Sequence, residues 1–336
     1  MPSRDVPGLA AQDAIRCRSV LRAGSRSFHA ASLLLPGSVR DAVAAVYAFC
    51  RTADDAIDGG GASRWTLLSL RDRLDRIYEG GSPLVPADRA LSAVVHHYRI
   101  PRSVFDALIE GFAWELEERR YTTIAELRAY GVRVAGTVGI AVAGILGARD
   151  EETLARACDL GVAMQLTNIA RDVGEDAAAG RLYLPREWME DAGLDPDAWL
   201  RAPTFSAALS RVVQRVLEEA DGLYRRAESG IERLPRRYRW AIRAARHMYA
   251  DIGAVIARRG FDSVSGRAVT STPRKIRLAV RALRPLGSTG VGAPALQEAL
   301  ELVRSVPPEW ADPSSTSISR GPAPEGAGWH IRQELA

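Results

Sequence analysis

The chain has 336 residues, 47% hydrophobic and 26% charged, a balance that suits a soluble globular protein with a sizeable core. Its 45 basic and 41 acidic residues leave a net charge of +4, with arginines scattered among acids. That pattern argues against a nucleic-acid surface and supports no more than a mild preference for anionic substrates or an anionic membrane. Cys17, Cys50 and Cys158 form no CxxC pair and are odd in number, and the histidines, including the adjacent His96 and His97, show no metal spacing. A disulfide framework or zinc site is therefore not expected, and a reducing cytoplasm fits. The first twenty residues contain no apolar h-region, so no secretory signal is read. Nothing in the sequence fixes the oligomeric state.

Helical periodicity dominates. It runs over 9–23, 38–58, 64–78, 88–98, 101–118, 123–147, 150–177, 205–229 and 236–259. Several of these segments follow a cap or a proline: Pro36-Gly37-Ser38, Pro101, Asp150 before two glutamates, and Pro235. The most apolar run, 134–148, falls short of the ~20 residues that span a bilayer and reads as a buried helix. Its Gly136, Gly139, Gly144 and Gly147 imply either space beside a ligand or tight helix packing. Strand-like alternation is scarce. The expectation is an all-α fold with one catalytic helical domain over 10–290, followed by a mobile Pro/Ser/Gly-rich tail over 305–336.

Two acidic lines carry the functional argument. In "MQLTNIARDVGEDAAAGRLYLP" (164–185), Gln165, Asn168, Asp172 and Asp176 are spaced three, four and four, and so share one helix face. Carboxylates four apart repel by ~0.2–0.5 kcal/mol in an isolated helix, and no lysine follows to relieve them. "YAFCRTADDAID" (47–58) repeats the device with Asp54 and Asp58, preceded by Tyr47 and Arg51. A solvated face is the ordinary reading of such a pair, with Arg51 as a surface partner. Beside the second line, however, Val162, Leu166, Ile169 and Val173 are apolar, so that helix is at least half buried. Buried carboxylates need partners. If the two faces meet, their oxygens suit a hard cation, above all Mg²⁺ shared with substrate phosphates.

These stretches resemble the two aspartate-rich motifs of the squalene/phytoene synthase family. "GSRSFHAASLLLP" (24–36) is similar to its N-terminal flap, "YGVRVAGTVG" (130–139) to its central tyrosine motif, and "RRGFDSVSGRAVTSTPRK" (258–275) to its C-terminal basic motif. The motifs fall in the family's order over about 15–280, and their wording is most like that of the bacterial phytoene synthase branch.

The resemblance implies an all-α isoprenoid-synthase fold around a central cavity. It implies Mg²⁺, with Mn²⁺ as the alternative ion, held by Asp54, Asp58, Asp172 and Asp176 with Asn168. It implies diphosphate or substrate contacts from Ser25, Tyr47, Arg51, Gln165, Asn168, Tyr249, Arg267 and Lys275, the last two in a loop. Tyr130 is implied to act near carbocations, with Asp54 and Asp172 as catalytic ligands; related enzymes often carry a second aromatic where this chain has Val132. The implied reaction condenses two geranylgeranyl diphosphates head to head into phytoene, without NADPH. Rival readings are squalene, dehydrosqualene or presqualene diphosphate synthesis from C15 farnesyl diphosphate, and a non-catalytic assembly factor. The greasy substrates imply a peripheral contact with the inner membrane face.

Overall fold

The computed structural model describes residues 6–59, 61–285, 294–307 and 310. It is helical throughout, and no strand occurs among the described residues. The elements are α1 (Ala11–Gly24), α2 (Arg26–Ser32), α3 (Gly37–Asp58), α4 (Arg64–Tyr78), α5 (Pro86–Tyr98), α6 (Arg102–Leu116) and α7 (Ile124–Gly131). A π-helical turn (Val132–Gly136) joins α7 to α8 (Thr137–Ile145). There follow α9 (Glu151–Ala178), α10 (Arg186–Asp191), α11 (Pro196–Arg201), α12 (Ala207–Arg233), α13 (Arg236–Arg258), α14 (Thr272–Arg281) and α15 (Gln297–Arg304).

The centre is α9. It packs most extensively on α12, and also on α8, the π turn, α13 and α15. Its N-terminus is fixed by Asp150, which accepts from the Thr153 amide at 3.0 Å, and α12 starts at Ser206, which accepts from Leu209 N at 3.1 Å. On α12 the buried residues Leu209, Val213, Val216, Ala220, Leu223, Ala227 and Ile231 recur at steps of three and four, so one stripe faces α9. The α8–α9 contact is very close. A Cβ at Gly139 would sit 2.2 Å from the Ala157 carbonyl oxygen, and one at Gly161 would sit 2.3 Å from the Ala135 oxygen. Tight packing thus accounts for these glycines, although both also border the central cavity.

Several expectations change. The single helix read over 123–147 is α7, a π turn and α8, because the backbone widens where Val132–Gly136 presses against α9 and α6. The short helices α2, α10, α11, α14 and α15 have too few turns to give a clear period. The helical body also exceeds 10–290. Val6 is buried before it, and Leu296, Ala299, Val303, Val306 and Trp310 are buried after it. The Leu296 amide donates to Asp159 Oδ1 at 3.1 Å, and Trp310 Nε1 donates to the Tyr98 carbonyl at 3.3 Å. The prolines of 305–310 favour a tail there, but the apolar Val306 and Trp310 are buried in the core. The rest of the expected tail, 311–336, lies outside the described residues.

Candidate active site

Helices α3, α6, α8, α9, α12 and α13 surround one cavity of ≈ 270 Å³. Its inner part is mainly apolar, with Val138, Val142, Leu146, Leu160 and Ile231, though the buried Thr153 and Arg156 also line it. Its outer part is polar, with Tyr47, Arg51, Asp54, Glu115, Gln165, Asn168 and Tyr249.

Asp54 from the first acidic line and Gln165 and Asn168 from the second line this outer part; Asp58, Asp172 and Asp176 follow them on the same helices without lining it themselves. Asp54 and Asp58 occupy the final turns of α3, and Asp172 and Asp176 lie near the end of α9; neither helix has a basic residue in its last turn. Two helix C-termini therefore add partial negative charge to that of the carboxylates. Arg181 links the lines, reaching Asp58 Oδ1 at 2.5 Å and Asp176 Oδ1 at 3.8 Å. Arg51 pairs with Asp54 at 3.1 Å and with Asp55 at 2.6 Å. Asp172 receives Arg171 Nε at 2.7 Å and lies 2.9 Å from Arg267 Nε. The ordinary ion pair foreseen for Arg51 is thus present, but within a converging site rather than on a separate surface.

The electrostatics show how much negative charge is held here. Burial first, and then the charge of Asp58, pushes the Asp54 carboxyl up to about 6 against the pull of Arg51. Burial and then Asp172 push Asp176 up to about 7, although Arg181 opposes them. Burial is the first cause in both, and the neighbouring carboxylates add to it more than the arginines remove. Among the described residues no three carboxylates, imidazoles or thiols converge to cage one ion. The donor set instead fits Mg²⁺ bound through one or two carboxylates, with water and substrate phosphates completing its shell.

The remaining expected residues divide into two groups. Tyr130, Tyr47, Arg51, Gln165, Asn168 and Tyr249 line the cavity with Asp54. Ser25 caps α2 by accepting from Phe28 N at 3.2 Å, and its Oγ lies 2.9 Å from the Tyr249 hydroxyl. Phe28 lines the cavity, its ring 5.7 Å from that of Tyr47. Arg267 reaches the mouth from the segment before α14. Ser25, Asp58, Asp172, Asp176 and Arg267 do not line the cavity themselves, and neither does Lys275. It sits on α14 rather than in a loop, half-buried near Arg26, with its pKa lowered by burial and then by that arginine.

Sequence reasoning missed five contributors: Arg171, Arg181, Glu115, Tyr121 and Tyr183. The Tyr130 ring stacks on Tyr183 at 5.4 Å and lies 5.2 Å from Tyr121. The aromatic neighbour absent at Val132 is thus supplied from elsewhere in the chain. Glu115 accepts a hydrogen bond from the Tyr130 hydroxyl. Burial, with smaller contributions from Asp54 and Asp58, raises its carboxyl to about 8 against that bond. Arg181 and Tyr183 stand inside the quoted "GRLYLP", the one sequence signal that could have drawn attention to them.

An all-helical cavity with carboxylates and arginines at one end and mainly aliphatic side chains at the other suits a substrate with an anionic head and a greasy tail. The squalene/phytoene synthase family profile matches residues 21–275, and the chain belongs to that family. The phytoene synthase of Rhodobacter capsulatus is 49% identical over 265 residues, 78% of this chain and 78% of that protein. The phytoene synthase of Cereibacter sphaeroides is 48% identical over 278 residues, 80% of this chain and 78% of that protein. A ligand-bound dehydrosqualene synthase structure superposes with a TM-score of 0.74 at 29% identity, covering 81% of this chain and 95% of that one. A squalene synthase from Alicyclobacillus acidocaldarius gives 0.68 at 29% identity, with 75% and 95% coverage.

Proposed function

We propose that the chain joins two geranylgeranyl diphosphates head to head, through prephytoene diphosphate, into phytoene for carotenoid biosynthesis. The observation that carries this reading is the polarity of one cavity: Asp54 and Arg51 line its charged end, beside which Arg181 joins Asp58 to Asp176 and Arg267 pairs with Asp172, while aliphatic side chains dominate the rest of the lining. The near-50% identity to two phytoene synthases supports the C20 choice.

The first C–O bond to break leaves an allylic cation and a diphosphate. Asp54, Asp58, Asp172 and Asp176, with Asn168, would hold Mg²⁺, which when bound supplies Lewis-acid neutralisation of that leaving group. Arg51 and Arg267 add fixed positive charge. Releasing them from Asp54 and Asp172 frees their guanidinium groups for phosphate oxygens. Tyr47, Gln165 and the Ser25–Tyr249 pair supply polar contacts near the reacting carbons. The alkene of the second substrate attacks the cation, a proton leaves, and a cyclopropane forms. A second ionisation and rearrangement follow, and loss of another proton gives the central triene. Because that step expels a proton, it consumes no hydride, and the proposal needs no NADPH. The apolar interior holds the tails and keeps water from the cation.

The dehydrosqualene and squalene synthase names among the structural neighbours support a second reading, with C15 farnesyl diphosphate as substrate. Product analysis with C15 and C20 diphosphates, with and without NADPH, separates the two. Phytoene from C20 without NADPH is expected, and a C30 product alone would overturn the C20 reading. Four retained aspartates argue against a non-catalytic assembly role.

Membrane contact belongs to the same proposal. Among the described residues no helix is long and apolar enough to cross a bilayer. Ile276, Val280 and Leu283 are, however, exposed along one side of α14 and its C-terminal extension, with Arg277, Arg281 and Arg284 beside them. Such a face suits peripheral contact with an anionic membrane from the cytoplasmic side.

A further inference from the structure

Tyr130 is fully buried in the fold, and its hydroxyl and Glu115 lie together on the cavity wall. A phenol carries one proton, and here it is donated to Glu115. Donation therefore runs from Tyr130 to Glu115. The ring stacking at 5.4 Å and 20° holds Tyr183 in register, and Tyr121 braces Tyr130 at 5.2 Å.

This order sets the sign of the dipole that the cavity meets. A freely rotating phenol could turn its O–H toward a ligand and present positive charge. With its proton held by Glu115, Tyr130 presents oxygen lone pairs instead, flanked by aromatic faces whose quadrupoles also favour a cation. Deleting the acceptor would release the rotor. The burial that makes the Glu115 carboxyl costly to ionise also makes it costly to leave unbonded, so the pair is held firmly.

We propose that Glu115 is a positioning residue that takes up the single Tyr130 proton, so that the Tyr130 oxygen faces the reacting carbocation as an electron-rich acceptor. The inference rests on the carbocation chemistry proposed above. Glu115 acts through Tyr130 and needs no contact with substrate.

A double-mutant cycle in the full-length protein tests it. Glu115→Leu should lower kcat roughly 10²-fold, the scale of one preorganised dipole at a charged transition state, with KM changed less than about threefold. Glu115→Gln keeps an acceptor oxygen and should recover kcat to within about tenfold of wild type. Tyr130→Phe should abolish the dependence, so that adding Glu115→Leu to it costs less than about twofold further. Far-UV circular dichroism of Glu115→Leu should match wild type, so that the loss of kcat reads the missing acceptor rather than unfolding.

Wild-type kcat in Glu115→Leu would overturn the proposal. So would a further 10²-fold loss on the Tyr130→Phe background, or an equal loss in Glu115→Gln. If Glu115→Leu does not fold, Glu115→Ala runs the same cycle. Substrate identity is fixed first on the wild-type enzyme. If it turns over only C15 diphosphate, the C20 reading fails while the cycle proceeds on the accepted substrate.

Discussion

The mouth and the floor of the cavity are lined by the same helix yet follow opposite rules. Along one face of α9 stand Ala157, Gly161 and Met164, then Gln165 and Asn168, then Asp172 and Asp176. Apolar gives way to neutral polar and then to acid over 19 residues, about 28 Å at the rise of an α-helix. At the floor the side chains are small and close-packed, and glycine is required. At the mouth they are charged, and arginines offset only part of their charge. The gradient runs the way a prenyl diphosphate does, tail inward and diphosphate at the helix C-terminus. The end proposed to bind an anion is thus itself negative, which calls for cations to mediate. The proposed metal and the observed arginines answer the same requirement.

The strongest way to break this contrast is at the mouth. Asp172→Asn or Asp176→Asn removes an acid that would hold metal. Each should lower turnover by two to three orders of magnitude, read as diphosphate release at saturating Mg²⁺. Far-UV circular dichroism should stay unchanged, since both acids are only part-buried and neither belongs to the apolar core. Turnover within tenfold of wild type would detach these acids from catalysis.

At the floor the expected effect is smaller and of a different kind. Ala157 is half-buried and borders the cavity. Ala157→Leu should shorten the space for a tail, lowering the ratio of kcat/KM for C20 over C15 diphosphate by roughly tenfold or more. The Mg²⁺ dependence should not move. A change in metal demand with no change in chain-length preference would mean that floor and mouth are not separable.

The mouth was far more legible in sequence than its surroundings. Aspartates four apart are a local signal, and the apolar flank of α9 revealed its burial, so Asp54, Asp58, Asp172 and Asp176 could be paired before any fold was known. Arg181 and Glu115 gave no such signal. Each matters only because chain folding brings it to a partner, 123 residues away for Arg181 and Asp58, and 15 residues and one turn of chain away for Glu115 and Tyr130. Lys275 illustrates the converse. Its motif matched, but the sequence could not show that α14 would carry it beside Arg26. The floor glycines were visible, but their cause was not: close approach to Ala157 and Ala135 is a contact between helices, which periodicity within one helix cannot report.

A change of pH sharpens the contrast further. Asp54 and Asp176 have carboxyls raised to about 6 and about 7, above an ordinary value near 4. The folded state therefore binds their protons more tightly than the unfolded chain does. Their contribution to stability is full below pH ~4 and is lost as pH rises through about 6 to 7. In the metal-free protein, the thermal midpoint in chelator should fall by a few °C between pH 5 and 8. Asp176→Asn should flatten part of that slope, and Mg²⁺ at pH 8 should restore stability by taking the place of the protons. A slope identical in wild type and Asp176→Asn would assign the effect to other groups.

The smallest expected effect lies outside the cavity. Ala245 borders the cavity and also packs with Ala282, just after α14, so the exposed α14 stripe is one layer of side chains from the floor. If that stripe rests on a membrane, hydrophobic substrate and product travel only a short way from lipid to cavity. Ile276→Asp should weaken flotation with vesicles containing phosphatidylglycerol by about tenfold or less, since an exposed side chain transfers only part of its area. Arg277→Gln and Arg284→Gln should each cost ~1 kcal/mol, and only when the vesicles are anionic. Turnover of detergent-dispersed substrate should be unchanged in all three, because none of these residues touches the cavity. Equal flotation of wild type and Ile276→Asp would remove α14 from the membrane and leave the gradient along α9 as the cavity's whole means of orienting a greasy diphosphate.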